Sequence, residues 1–398
     1  MKRHKNYIAM DKRDAASNLI ERIEFSPKTE TVPLTEALGR VAASNVASLN
    51  MAPNKLASRM DGIAVRSAQF EHGAPDTSQW ELGREYVFCN TGIGIDGDYD
   101  TVIRIEEVEF PDGRLRLTGL PPEKGSFTVQ PGSTMKKGEL LVKARDVLSP
   151  LLLSQLATGG YAQVEVLKKP VVAFLPTGNE LVPAGTPVPP GKNADSNSVM
   201  MRGKILLWGG EPLLYPIQPD DLPTLVRVLE DALVRADIVV LNGGSSEGSD
   251  DFTIDALNEV GEILNHMIRS GPGAHTSCTV AHCGKPIVGI PGPAVGAECT
   301  TDWFIKPLID AYLGQPREIP TVRARYIGAD VPPKEGAFSL IRRAMLERLP
   351  DGGLTVAPVE FDDRRSLDKS NAFIAFPPAG MRAGSEIEVE LRYPYRLP

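Results

Sequence analysis

Residues 171–180 read VVAFLPTGNE, a mostly apolar run that passes directly into a short polar loop. The pattern recurs twice: IVVLN at 238–242 enters GGSSEG, and PIVGIP at 286–291 enters GPAVG. Short apolar runs bounded by turn residues are typical of buried strands in a parallel sheet. Between them the pattern predicts helices around 199–207 and 222–233 and a strand at 212–217. Strands that alternate with helices predict an α/β module over residues 170–315.

The three loops that follow these strands carry the most informative chemistry. Loops after parallel strands leave the sheet at its carboxyl edge, where open α/β sheets bind ligands, so we expect them to converge on one crevice. Glycines let the backbone approach a ligand, and N–H groups with Ser and Thr hydroxyls can cradle phosphate or a similar oxyanion. The alternative is that these are ordinary tight turns. The candidate ligand-binding residues here are Thr177, Gly178, Gly243, Gly244, Ser245, Ser246, Gly248 and Gly292.

Acidic residues gather near the same loops. They are Glu180, Glu247, Asp250, Asp251 and Glu298, with Asp220 and Asp221 after the predicted strand at 212–217. Carboxylates beside an anion-binding loop suggest a Mg²⁺ ion that bridges protein and phosphate, because Mg²⁺ prefers oxygen ligands. The alternative for Asp250 and Asp251 is that they only cap the helix that follows them.

Composition limits the classes of function. The chain has 398 residues, and Lys+Arg 43 against Asp+Glu 51 gives a net charge of −8. An acidic chain without a long basic run is a poor candidate for nucleic-acid binding. No apolar stretch approaches the roughly 18 residues of a membrane span, and the first residues contain no signal-peptide core. We therefore expect a soluble cytoplasmic protein with no membrane or nucleic-acid partner.

The cysteines and histidines do not indicate a metal or disulfide framework. Four cysteines in a chain of this size are too few for a disulfide scaffold. His275, Cys278, His282 and Cys283 lie close in sequence, but their spacing fits no zinc-binding pattern. Buried thiols and surface histidines are the expected interpretation.

Outside the α/β module the chain divides into segments that differ in composition and in hydrophobic pattern. Residues 50–139 are rich in Gly, Asp and short β-type runs, which predicts a β-rich domain. Residues 10–49 and 140–169 both contain apolar helical faces, and Ser149-Pro150 forms a helix-start signal. We group these two pieces as a split linking domain; the alternative is that 140–169 is a plain linker. Residues 316–398 alternate as strands do, which predicts a small β-barrel or sandwich.

Further motifs accompany the three loops in a fixed order. They are VPLTEALGRV at 32–41, MDGIAVR at 60–66, NTG at 90–92, KKGELL at 136–141, PTGNEL at 176–181, SNS at 196–198, GGSSEGSDDF at 243–252, GIPG at 289–292 and KSNAFIAFP at 369–377. This ordered set resembles the molybdopterin molybdenumtransferase family, which includes bacterial MoeA and the C-terminal domain of gephyrin. The resemblance extends from about residue 19 to about residue 391.

The resemblance implies a fold and a reaction. The fold is multidomain α/β plus β and elongated: a three-layer α/β MogA-like domain, a β-rich domain, a split linking domain and a C-terminal β-barrel. Members are usually homodimers whose active sites lie between subunits. They insert molybdenum from molybdate into adenylyl-molybdopterin with the help of Mg²⁺, and AMP is released. The implied partners are this pterin substrate, a second copy of the chain and other cofactor-biosynthesis proteins.

The resemblance also assigns roles to individual positions. It implies catalytic roles for Thr91, Glu180 and Asp251, with Thr91 reaching the site from the β-rich domain, across the dimer. It adds Ser196 and Asn197 to the loop residues that bind the pterin. Its implied metal ligands are Glu180, Asp220, Asp221 and Asp251.

Several positions depart from the family pattern. Leu56 stands where an acidic residue is usual, and Ser133 and Thr134 replace an acidic pair. Glu247 replaces a valine, a K-P-G-K-P segment is GPGAH at 271–275, and a P-G-N-P-V loop is PGPAV. Lost lysines weaken phosphate binding, and lost acids weaken metal-assisted chemistry. The alternatives to an active transferase are therefore a catalytically degraded molybdopterin-binding paralogue and a scaffold protein.

Overall fold

The structure is a computed structural model that describes residues 9–243, 252–317, 319–336, 338–359 and 370–392. The chain forms two compact units, one made of Met1–Lys28 with Lys168–Pro398 and the other of Thr29–Leu167. No helix in the described ranges combines the length and the apolar character needed to cross a membrane.

Helices and strands are numbered in chain order. Helices α1–α7 are Lys12–Glu21, Pro150–Thr158, Ser196–Leu207, Leu222–Arg235, Thr253–Val260, Ala294–Thr300 and Lys306–Leu313, with a π-helical turn at Thr301–Ile305. Strands β1–β12 are Ala9–Met10, Thr29–Pro33, Val46–Ala47, Ala57–Ser58, Gly62–Val65, Tyr86–Cys89, Thr101–Arg104, Val108–Glu109, Arg116–Leu117, Thr128–Val129, Leu140–Val142 and Gln163–Leu167. Strands β13–β27 are Val171–Pro176, Leu181–Val182, Asn193–Ala194, Glu211–Leu214, Ile238–Asn242, Gly261–Asn265, Met267–Ile268, Ser270–Gly271, Ser277–Ala281, Pro286–Ile290, Thr321–Tyr326, Ser339–Arg348, Leu354–Pro358, Ala372–Phe376 and Glu386–Leu391.

The predicted α/β module is present as a six-stranded sheet in the order β16-β13-β17-β22-β21-β18. The three apolar runs form the adjacent parallel strands β13, β17 and β22, and β16 adds a fourth parallel strand. The other two strands, β21 and β18, run antiparallel at one edge, whereas the sequence pattern indicates only parallel pairing.

Helices cover both faces of this sheet and complete the three layers. Leu225 and Leu229 of α4 pack with residues of α5 and with alternate residues of β13 and β17 in one buried cluster. On the opposite face α3 contacts β13 and α6, and α6 contacts β22. Because each central strand is buried on both sides, it is a nearly continuous apolar run rather than an alternating one.

The C-terminal segment is a barrel rather than a sandwich. Strands β24-β25-β23-β27-β26 form a sheet that closes through a second pairing of β26 with β24. Inward side chains such as Ala324, Tyr326 and Val389 alternate with outward polar ones and form the barrel core. The predicted fold class, α/β plus β in several domains, is therefore confirmed.

The second unit contains several small sheets, of which two carry the larger cores. Strand β2 pairs with β12 in an unbroken five-residue register, and α2 adds Leu156 to their common core with Val32 and Val164. Strands β6-β5-β7 form a three-stranded sheet over the core of Ile63, Val65 and Ile103. Of the predicted 10–49 piece, helix α1 and the residues up to Lys28 belong to the first unit, and residues 29–49 belong to the second. The four-domain division stays a prediction.

Candidate functional site

The loops after β13, β17 and β22 meet at the carboxyl edge of the sheet. Pro176 lies opposite Asn242, and Asn242 lies opposite Ile290, so the three strands end side by side. The Thr177 N–H donates to the Asn242 carbonyl at 2.8 Å. A Cβ on Gly243, whose φ is +114°, would lie 2.5 Å from the Thr177 carbonyl oxygen. Only glycine fits there, because the first two loops are in direct backbone contact.

A cavity of about 500 Å³ opens at this edge. The loop after β13, the β14–β15 pair, the first turn of α3 and the loop after β22 form its wall. Five of the predicted site residues line it together: Thr177, Glu180, Ser196, Asn197 and Gly292. Asp195, Asn242 and Pro293 line the cavity as well, and the sequence did not single them out as ligand-binding residues.

Glu180 is the exposed carboxylate of the cavity. Gly178, which has a φ of +144°, leaves room for it, since a Cβ at Gly178 would lie 2.5 Å from Glu180 Oε2. The Glu180 carbonyl accepts from the Asn193 N–H at 2.9 Å, which fixes the backbone of this loop against β15. Among the described residues no hydrogen bond or ion pair engages the carboxylate, so both oxygens are available to a ligand.

The other described carboxylates predicted as metal ligands have local structural partners. Asp220 Oδ2 accepts from the Asn179 N–H at 3.1 Å and so ties down the loop after β13. Asp221 is the N-cap of α4 and accepts from the Thr224 N–H at 3.1 Å. Neither residue lines the cavity, and within the described ranges no three acidic, histidine or cysteine side chains form a cluster suited to a metal ion.

Helix α3 begins at the cavity through a side-chain cap. Asp195 is its N-cap and accepts from the Ser198 N–H at 3.0 Å, while the Ser198 hydroxyl donates to the other carboxylate oxygen. Both carboxylate oxygens of Asp195 are thus engaged, and the cap satisfies one backbone donor of the first turn. Ser196, the first helical residue, is exposed at the cavity.

A pair of buried asparagines connects α3 to two of the loops. Asn197 Nδ2 donates to Asn242 Oδ1 at 2.9 Å and to the Gly292 carbonyl at 2.8 Å. Asn242 Nδ2 donates to the Pro291 carbonyl at 2.8 Å. Sequence reasoning treated Asn242 only as the end of an apolar strand; the signal was a lone amide closing the run IVVLN.

Thr91 lies in the other unit, within the turn that follows β6. Its N–H and its hydroxyl both donate to Asp61 Oδ1, at 2.6 and 2.9 Å. These two hydrogen bonds, the backbone one first, hold the pKa of the exposed Asp61 carboxyl below its ordinary value. Thr91 and the MDG motif at 60–62 therefore form one local structure.

Glu298, which the sequence groups with the loop carboxylates, has a different position. It is buried in α6 and forms ion pairs with Arg343 of β24 and with Arg392. It does not line the cavity, so the expectation that it belongs to the ligand site is wrong. Several predicted site residues lie outside the described residues: Gly244, Ser245, Ser246, Gly248 and Asp251, together with Glu247 and Asp250.

Comparison with known proteins connects this architecture to one group. The family model for the MoeA N-terminal region, domains I and II, matches residues 10–160. The model described as a probable molybdopterin binding domain matches residues 173–311, which contain the cavity. Together the two models match segments of both units.

Individual relatives match over nearly the whole chain. Molybdopterin molybdenumtransferase of Bacillus subtilis is 28% identical over 405 aligned positions, which cover 95% of this chain and 93% of the relative. The enzyme of the same name from Staphylococcus aureus strain Mu50 is 28% identical and covers 91% of this chain and 90% of its own length. A crystal structure of the molybdopterin biosynthesis MoeA protein from Pyrococcus horikoshii superimposes with a TM-score of 0.78 at 27% identity, covering 96% and 99% of the two chains. The chain therefore belongs to the MoeA family.

Proposed function

We propose that this protein is a molybdopterin molybdenumtransferase that inserts molybdenum from molybdate into adenylyl-molybdopterin and releases AMP. The curated relatives that match over nine tenths of the chain have this name. The observation that carries the proposal is the cavity at the carboxyl edge of the sheet, in the segment matched by the molybdopterin-binding family model. Ligands bind at this edge in open α/β sheets.

The cavity residues have distinct proposed roles. We assign Glu180 to the handling of the metal or of molybdate, because it is the exposed carboxylate of the cavity wall. The residues proposed to hold the pterin substrate are Thr177, Gly178, Ser196, Asn197, Gly243, Gly244, Ser245, Ser246, Gly248 and Gly292. Thr91 is proposed to act in the site of a second copy within a homodimer.

Mg²⁺ is part of the proposal as the cation that would neutralise phosphate oxygens when bound. Glu180 offers two carboxylate oxygens, the ligand type that Mg²⁺ prefers, and Asp251 is proposed as its companion. Asp220 and Asp221 are weaker candidates, because their carboxylates already accept from the backbone N–H groups of Asn179 and Thr224. We also propose a cytoplasmic location, since all four cysteines are free, as is usual in a reducing compartment.

The decisive experiment is cofactor insertion with purified components. The protein is mixed with adenylyl-molybdopterin, Mg²⁺ and either molybdate or tungstate, and AMP release and reconstitution of an apo-molybdoenzyme are measured. Turnover with one oxyanion establishes the activity and identifies the metal. Omission of Mg²⁺ should stop the reaction. Absence of turnover under all conditions would refute the transferase proposal.

A second candidate is a pterin-binding protein without turnover. It is favoured by Leu56, which packs on the core of Ala64, Cys89 and Val102 where the family usually has an acidic residue. The segment 271–275 also lacks both lysines of the family pattern. This candidate predicts that adenylyl-molybdopterin binds and that no AMP appears, so the same assay combined with a binding measurement separates the two.

A further inference from the structure

Hydrogen bonds fix the orientation of the side-chain amides in the buried asparagine pair. Asn197 and Asn242 are only 8% and 2% exposed, and their amides contact each other at the cavity wall. An amide group has a donor end and an acceptor end, and which end faces a ligand decides what that ligand must offer. The orientation of each amide therefore determines whether the site selects a ligand that donates or one that accepts a hydrogen bond.

Two backbone carbonyls determine that orientation. A carbonyl oxygen only accepts, so the Pro291 carbonyl requires the Nδ2 end of Asn242. Asn242 Oδ1 is then directed at Asn197, which must donate to it. The Gly292 carbonyl takes the second N–H of the same Asn197 nitrogen. Rotating the Asn197 amide by 180° would place its oxygen against two acceptors. Rotating the Asn242 amide would place acceptor against acceptor at Pro291 and donor against donor at Asn197. Either change loses two hydrogen bonds in a buried site.

Both donors of Asn197 are consequently used, and only its oxygen remains. Within the described ranges no donor contacts Asn197 Oδ1. This oxygen is nevertheless not one of the fully buried polar atoms that lack a hydrogen bond, so it is accessible. Asn197 lines the cavity. We infer that Asn197 presents its Oδ1 to the cavity as an acceptor, held by Asn242, and that this wall recognises a hydroxyl or N–H donor of the ligand rather than a phosphate oxygen.

Two neighbouring side chains of the cavity, those of Thr177 and Glu180, also offer acceptor oxygens. The Thr177 hydroxyl donates to the Asn242 carbonyl at 3.3 Å, so its oxygen can accept from a ligand. Glu180 adds a carboxylate, which when ionised only accepts. The described wall is thus rich in acceptors. If the proposed function holds, on which this inference rests, the donors of adenylyl-molybdopterin that fit are the ribose hydroxyls and the N–H groups of its heterocycles.

The test pairs a change in the protein with a change in the ligand. Calorimetry gives the affinities of the native protein and of Asn197→Ala for AMP, 2′-deoxy-AMP, 3′-deoxy-AMP, a tetrahydropterin and its 2-deamino analogue. One of these ligands should donate a hydrogen bond to Asn197 Oδ1. Removing that donor from the ligand should weaken its binding to the native protein by about 10-fold, the value of one hydrogen bond. Asn197→Ala should weaken the complete ligand by a similar factor and the donor-free analogue by little. The ligand that shows this coupling identifies the ribose or the heterocycle as the source.

A second variant and a matched control separate recognition from folding. Asn242→Leu removes the acceptor that holds Asn197 and serves as the test if Asn197→Ala does not fold. It should weaken binding of the complete ligand and leave binding of the donor-free analogue nearly unchanged. Asn371→Ala removes a barrel amide that exchanges two hydrogen bonds with the Leu346 backbone, so it should lower thermal stability and leave affinity unchanged. Equal losses for every ligand, with or without its donor, would overturn the inference while cofactor insertion by the native protein still supports the function. A native protein that neither binds these ligands nor releases AMP would overturn both.

Discussion

Glu180 shows how a residue at the cavity can be important for activity and unimportant for stability. Its carboxylate is exposed and has no partner among the described residues, so folding gains little from it. Its backbone, by contrast, is fixed by the Asn193 N–H. A change confined to the carboxylate should therefore act on function alone.

Glu180→Gln should reduce Mg²⁺-dependent AMP release by at least about 100-fold, on the scale of losing a charged group from a preorganised site. The midpoint of thermal unfolding should stay the same, because no described contact is lost. Glu211→Gln, an exposed glutamate of the same sheet, is the matched control and should keep full activity. Undiminished turnover in Glu180→Gln would show that the reacting groups lie elsewhere.

The Thr91–Asp61 pair gives a pH prediction. Because the folded pKa of Asp61 lies below its ordinary value of 3.8, the carboxylate contributes stability above that pH and loses it as pH falls through the folded pKa. Thr91→Val removes the hydroxyl donor but keeps the backbone N–H, which is the larger cause. The pKa of Asp61 should therefore rise part of the way towards 3.8, as followed by carbon NMR titration.

The pKa of Asp76 provides an internal reference for that titration. Hydrogen bonds from Ser78 in the same unit lower the pKa of Asp76, and Thr91 takes no part in them. Its pKa should not change in Thr91→Val. A full return of the Asp61 pKa to its ordinary value would mean that the backbone N–H contributes nothing.

At the scale of elements, helix starts position much of what surrounds the cavity. Asp195 caps α3 and Asp221 caps α4, and each cap fixes how the preceding loop enters its helix. Helix α2 in the other unit uses the same device, with Ser149 as the cap and Pro150 as the first residue. Because α2 is distant in sequence from the predicted site residues, its cap can be tested for stability alone.

Ser149→Ala should destabilise the protein by about 1 kcal/mol, the usual loss for a serine cap. The lost contact is the hydrogen bond that the Leu152 N–H donates to the Ser149 hydroxyl at 3.3 Å. Urea unfolding at constant m-value measures the change. Ser154→Ala, an exposed serine inside the same helix, should be neutral or slightly stabilising, since alanine has the higher helix propensity. Equal behaviour of the two variants would argue against the cap.

Within the first unit, the α/β module and the barrel share a buried ionic centre. Glu298 of α6 lies between the guanidinium groups of Arg343 and Arg392. Burial and the neighbouring Arg392 charge lower the pKa of Arg343 to about 10. Such a centre, with one buried and one half-buried arginine on a single carboxylate, is weak evidence for net stability. Loss of the carboxylate alone, however, is costly.

Glu298→Gln should therefore destabilise the protein by about 3–5 kcal/mol, because it leaves the buried Arg343 guanidinium without its counter-charge. Chemical denaturation measures the loss. Glu388→Gln breaks the exposed pair with Arg13 and should change stability by less than about 1 kcal/mol. A small effect of Glu298→Gln would mean that water or a rearrangement compensates the two arginines.

The local sequence determined the elements and their order. Apolar runs that end in small residues became β13, β17 and β22, and the amphipathic pattern at 222–233 became α4, because burial on one or both faces dictates residue spacing. The Ser149-Pro150 cap formed as expected, since it depends only on neighbours in the chain. The order of motifs was enough to identify the family.

Only the tertiary structure decided what each polar side chain does. Glu180 and Glu298 both follow or flank a loop at the sheet edge in sequence, yet one faces the cavity and the other is buried between two arginines. Asn242 lay unnoticed at the end of a strand and proved to connect α3 with the loop after β22. Such roles depend on partners from 45 to 94 positions away, and no local pattern encodes which of them will be in reach.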